Sequence, residues 1–274
     1  MQVLKRSFEF YVFGNIHVAV AAYCLTKISL LLFDINNQPL ANFVFFSTVL
    51  SYNFIRLFQV DRLNSMMAIW IRANKRALIV LNSFAFLGCG YYLLNFKLVE
   101  IFVLFPFVLA TLFYVFPFKN KIAGLRNVPG LKLFLISITW AGLTLYLPLF
   151  SAEFQNSEQL YTSMTQRFLF IFAITIPFDI RDAQFDLPGL NTIPQVLGVN
   201  KSKMIAIAAL LIAVVLDTRI AYEDPNYLWI NLFIMGLSMM MIAFSGPQRR
   251  RFYTAFWIEA LPVLWYLLYL VFIK

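Results

Sequence analysis

The sequence predicts an all-α, polytopic membrane protein: one bundle of nine helices occupying residues 1–274 as a single domain. Three observations predict it. Of the residues, 61% are hydrophobic and only 13% are charged, with 31 Phe, which leaves too little polar surface for a water-soluble domain. The apolar residues gather in runs of about 20, the length that crosses a bilayer. The runs do not alternate polar with apolar, so they read as helices rather than barrel strands, the two structures that satisfy their backbones within lipid.

The segments follow in order, each bounded by charge. The first, about 10–33, follows Lys5 and Arg6 and ends at Asp34. It is too long for a removable signal peptide and lacks a small-residue cleavage site, so it is expected to remain as a span. The second, 40–60, leads to Arg62, Arg72, Lys75 and Arg76. The third, 77–96, ends at Lys97, and the fourth, 98–117, leads to Lys119, Lys121, Arg126 and Lys132. The fifth, 131–150, opens onto Glu153 and Glu158. The sixth, 163–180, has Arg167 near its start and delivers Arg181, Lys201 and Lys203. The seventh, 203–217, is short unless Ile220 and its neighbours extend it, and is followed by Arg219, Glu223 and Asp224. The eighth, 227–245, reaches Arg249, Arg250 and Arg251, and the ninth, 254–273, ends at Lys274.

Basic residues therefore crowd alternate connections, which by the positive-inside rule face the cytoplasm. The N-terminus is expected inside and the C-terminus outside, as an odd number of spans requires. The same alternation accounts for the net charge of +9 as topology, so nucleic acid is not an expected partner. Cys24 and Cys89 both lie within apolar runs, which argues against a disulfide framework. The long loops 61–76, 117–130 and 181–202 are cytoplasmic in this scheme, so any chemistry is expected there.

One stretch stands apart. In PFDIRDAQFD, residues 177–186, three aspartates close an apolar helix. If the helix continues, Asp179, Asp182 and Asp186 stand at i, i+3 and i+7, within about 60° of one another. Like charges on one face repel, more so at low dielectric. A hard divalent cation offsets them, and Mg²⁺ shares its oxygen shell with carboxylates and substrate phosphates. The other reading is a solvated helix end. Against it, acids replace the usual basic trimming, and the turn-rich LPGLNTIPQVLG follows.

The segment DIRDAQFDLPGLNTIPQVLG, residues 179–198, resembles the second aspartate motif and following loop of the UbiA superfamily of intramembrane prenyltransferases. Asp179, Asp182 and Asp186 fill D-x-x-D-x-x-x-D; Gly189, Thr192, Pro194, Leu197 and Gly198 fill G-x-x-T-x-P-x-x-L-G. The resemblance implies a nine-helix bundle around a central cavity open to lipid. It implies Mg²⁺ ions, held by two aspartate motifs at the cytoplasmic mouth, against a prenyl diphosphate. It implies transfer of the polyprenyl group to a hydrophobic or aromatic acceptor in the membrane, a step of lipid and isoprenoid biosynthesis. The catalytic and metal-holding residues it implies are Asp179, Asp182 and Asp186, with Asp61 from the other motif.

That first motif, N-D-x-x-D-x-x-x-D, aligns with NFIRLFQVD, residues 53–61. Asn53 and Asp61 match, but Phe54 and Leu57 replace two carboxylates. Two readings follow. Arg56, whose fork suits phosphate, replaces one ion in the clamp, or the chain no longer ionises a diphosphate and only binds isoprenoid or lipid. Arg56 alone also fits a snorkelling interface residue, and Asp61 fits a loop carboxylate paired with Arg62. In YVFPFKNK, residues 114–121, Tyr114 and Lys119 resemble the family's Tyr-to-Lys segment, with Asn120 where Arg is common. Lys119, Lys121 and Arg126 are then diphosphate contacts or ordinary loop charge, and Lys203 is a weaker candidate of the same kind. His17 is the sole histidine, which excludes a histidine-rich metal or haem site. Asn15 and Lys27 share its span; Glu100 and Glu259 have no expected role. A transporter reading is disfavoured because the acids gather at one membrane face rather than midplane.

Overall fold

The computed structural model describes residues 2–59, 66–115, 130–183, 192–220, 222 and 224–273, and all secondary structure among them is helical. Helices stand at each predicted segment. They are α1 (Gln2–Phe13) and α2 (Ile16–Leu32), α3 (Gln38–Gln59), α5 (Lys75–Leu93) after the short α4 (Met66–Ala73), and α6 (Leu98–Val115). There follow α7 (Leu131–Ala141), a π-helical segment π1 (Gly142–Tyr146), α8 (Leu147–Ser151) and α9 (Ser157–Asp182). The rest are α10 (Ile193–Leu197), α11 (Val199–Asp217), α12 (Pro225–Ala243), a second π segment π2 (Tyr253–Ile258) and α13 (Leu261–Phe272).

Six of these stretches are long and apolar enough to cross a membrane, and seven if α1 and α2 form one bent span. The nine-span expectation meets two obstacles. In α6 the described apolar stretch is only Leu98–Thr111. In α9 the side chains are too polar, because this helix is solvated by protein rather than lipid. It packs against α7, α10, α11, α12 and both π segments. Gln166, Arg167, Phe170, Ile174 and Asp179 on it are all buried. By contrast α5 and α6 turn Phe84, Phe86, Leu87, Phe102 and Phe105 outward, the surface that a hydrocarbon solvent would cover.

The expected first span is not continuous. It breaks at Gly14–Asn15, where the axes turn by 54° and Asn15 adopts φ 63°. The break places α1 against π2 and α4, through Phe8 with Phe252 and Phe256, and Phe13 with Trp70. The loop expected at 61–76 contains α4, whose Ala68 and Ile71 bury against Leu78 with Leu57 packed beside them. In the 181–202 connection, Gly198 joins α10 to α11 at φ 81°, a conformation open to glycine at no steric cost. Pro194 is buried in α10. These two motif positions thus have backbone and packing roles.

Candidate functional site

The C-terminal end of α9 presents Asp179 and Asp182 one turn apart. Asp179 is 1% exposed, and its Oδ1 accepts from Nζ of Lys132, on α7, at 2.7 Å. Its Oδ2 is buried and accepts from nothing among the described residues. Asp182 stands at the opening, its side chain 38% exposed. Arg181 donates Nε to Oδ1 of Asp182 at 2.7 Å and Nη2 to Oδ2 at 2.8 Å, a bidentate fork. Its remaining Nη1 donates to Oγ1 of Thr254 in π2 at 2.7 Å, and Phe178 underlies the guanidinium at 5.3 Å.

The π turn aims this wall. In an i→i+5 turn, residues five apart lie close to one face. The Glu259 amide donates to the Thr254 carbonyl at 3.3 Å, so Thr254 and Glu259 lie near the same side. The Phe256 carbonyl accepts from Nε2 of His17 at 2.9 Å, and Tyr11 hydroxyl lies 2.8 Å from Nδ1. A carbonyl only accepts, so Nε2 carries the proton.

The stretch 53–61 meets this wall from α3. Asn53 is buried, donates Nδ2 to the Gly14 carbonyl at 3.1 Å and accepts from Nδ2 of Asn15 at 2.8 Å. Arg56 donates Nη1 to the Phe13 carbonyl at 2.6 Å. Both therefore hold carbonyls that the break in α1–α2 leaves without helical partners. Glu259, Arg181 and Asp182 are the charged groups around Arg56. So Asn53, Arg56, Asp179 and Asp182 converge at one end of the bundle. Phe54 faces outward and Leu57 packs on α4, consistent with the missing carboxylates. Asp61, Lys119, Lys121, Arg126, Asp186 and Gly189, with the side chain of Tyr114, lie outside the described residues.

Several other polar residues singled out in the sequence have local partners. Lys27 donates to Gln38, Lys203 to the Ala243 carbonyl at the end of α12, and the Lys97 amide to Glu100. Arg181, Thr254 and Glu259 were not expected in the site. Arg181 read as topology, one of the basic residues of a cytoplasmic connection; neighbours i and i+1 do not face each other on a helix, yet its side chain bonds Asp182.

A second polar cluster, at the other end, was also unexpected. Asp217, fully buried, accepts from Tyr222 at 2.6 Å, Asn231 at 3.0 Å and Gln166 at 3.3 Å. Asn231 accepts in turn from Trp265 and Tyr269. Arg167, 2% exposed, donates to Thr144 in π1 and to the Leu25 carbonyl, with Trp265 beneath it at 5.7 Å. Burial and the charge of Asp217 push the Tyr222 hydroxyl pKa well above its ordinary value, so Tyr222 remains a donor. The sequence does carry a signal for this cluster, since an ionisable residue inside an apolar run is by default a candidate for function.

Among the described residues no three His, Cys, Asp or Glu side chains stand together as a metal site. The unpartnered Oδ2 of Asp179 does suit a hard cation, and Asp182 suits one once Arg181 releases it. Fold and site together define an all-helical protein whose long apolar helices suit a membrane, with a partly buried charged site at one end. Comparison with known protein families, curated proteins and solved structures returns no match for this chain.

Proposed function

We propose that this chain is a UbiA-like intramembrane prenyltransferase of nine spans around a central cavity, its charged site facing the cytoplasm. It moves a polyprenyl group from a prenyl diphosphate to a membrane-associated hydrophobic or aromatic acceptor. One observation carries this proposal. Residues 53–56 and 179–182, distant in sequence and aligned with the family's two aspartate motifs, lie at the same end of the bundle, where Arg181 and Asp182 act electrostatically on Arg56. Asp179, Asp182 and, by the motif, Asp186 and Asp61 would hold Mg²⁺. The ion, when bound, stabilises the charge on a departing diphosphate. Arg56, Arg181 and Lys132, which bond the Phe13 carbonyl, Asp182 and Asp179, would turn to phosphate oxygens when a diphosphate binds, and aromatic side chains would keep water from an allylic cation.

A second proposal, a binding relative that no longer ionises its ligand, draws on the pairing of both aspartates with the chain's own cations. Titration of a prenyl diphosphate with and without Mg²⁺, following binding and pyrophosphate release together, separates the two. The enzyme binds and releases, and Asp182→Asn that still folds loses the Mg²⁺-dependent release. Retained release in Asp182→Asn rules out that aspartate's role; binding without release, with every acceptor offered, leaves the binding protein.

A further inference from the structure

We propose that Arg181 is a latch on the metal site: it occupies Asp182 until a diphosphate arrives, then passes its fork from carboxylate to phosphate. This rests on the diphosphate site proposed above.

Four features carry it. Both oxygens of Asp182 accept from one guanidinium, whose positive charge beside them opposes a cation. The deeper Asp179 keeps its buried Oδ2 without a hydrogen-bond partner among the described residues, so the carboxylate pair is left half open. The third nitrogen of Arg181 rests on a neutral hydroxyl of a different element, Thr254, which serves as a pivot while the fork changes partner. The last feature is charge. Lys132 and Arg181 each pair with one carboxylate, Asp179 and Asp182, and Arg56 adds a further cation nearby, so the carboxylates carry no surplus negative charge to draw in a metal alone. A diphosphate brings that surplus. Carboxylate and phosphate present oxygens to the same planar fork, so Nε and Nη2 exchange one pair of acceptors for another with no hydrogen bond lost. No covalent bond changes. Asp182 is released to the cation as the phosphate gains Arg181.

Binding of metal and diphosphate is then mutually dependent, each favouring the other by the same factor. The measurement uses the full chain in nanodiscs. Mn²⁺ is followed by loss of its free electron-paramagnetic-resonance signal. A prenyl S-thiolodiphosphate, which does not ionise readily, is titrated in EDTA by calorimetry. In the wild type, Mn²⁺ alone binds weakly and tightens about tenfold with saturating thiolodiphosphate, the scale of one hydrogen bond to a charged group. Arg181→Gln moves the two ligands in opposite directions: Mn²⁺ alone binds tighter, and metal-free thiolodiphosphate binds weaker. Loss of packing would weaken both. Thr254→Val, which keeps the cation and removes the pivot, also tightens Mn²⁺ and carries the test if Arg181→Gln does not fold. Unchanged or weaker Mn²⁺ binding in both variants overturns the latch and leaves the site standing. A wild type that takes neither probe, alone or together, overturns the proposed function and the latch with it.

Discussion

Asp217 has no exposed surface, and each neighbour bonded to its carboxylate is a donor. The same cluster contains Arg167, whose charge acts on Asp217 across space while Gln166, Asn231 and Tyr222 bond the carboxylate. Removing one member of a buried charge set leaves the other uncompensated, at a cost of about 3–5 kcal/mol. Asp217→Ala is therefore expected to lower the thermal midpoint in detergent sharply. Asp217→Asn, which keeps one acceptor, should fall between it and the wild type. Equal midpoints for Asp217→Asn and the wild type would show that Arg167 does not depend on this charge. At this scale the sequence disclosed which residues were polar in an apolar setting, Arg167 and Asp179 among them. It did not disclose their partners, since Arg167 meets Thr144 and Leu25 from remote parts of the chain.

Elements are where hydropathy is most informative and backbone detail least. The break at Gly14–Asn15 and the π turns in π1 and π2 leave no mark in a hydropathy pattern, because Ile, Leu, Phe and Trp continue on both sides of each. Each π segment nevertheless offers a threonine hydroxyl to an arginine, Thr144 to the buried Arg167 and Thr254 to the half-buried Arg181. In π1 the backbone comes close to α6: a Cβ on Gly142 would lie 2.2 Å from the Phe107 ring. Overpacking of this kind costs about 1–3 kcal/mol. Gly142→Ala should destabilise the protein by that order in chemical unfolding, and adding Phe107→Leu should restore part of the loss. Additive effects in the double variant would mean that the ring moves aside freely.

For the whole molecule, the number of spans decides where the ends lie. Six spans put both termini on one side, whereas the seven reached by joining α1 to α2, or the nine read from the sequence, put them on opposite sides. Accessibility of tags at the two ends in sealed vesicles distinguishes these. The charge alternation predicts the N-terminus inside and the C-terminus outside; both tags on one face would reject it.

Hydrophobic runs are local, so the sequence by itself determined that the chain is helical, that it suits a membrane, and where its apolar helices lie, though not the break between α1 and α2 or the short α4. It also singled out Asp179 and Asp182, because charge is conspicuous where apolar side chains dominate. Only the tertiary structure decided which charges meet. Lys132 reaches Asp179 and Arg181 joins Asp182 to Thr254, while Asn53 and Arg56 close the break in α1–α2. Those contacts depend on how helices distant in sequence pack, and the one-dimensional pattern of apolar residues holds no record of it.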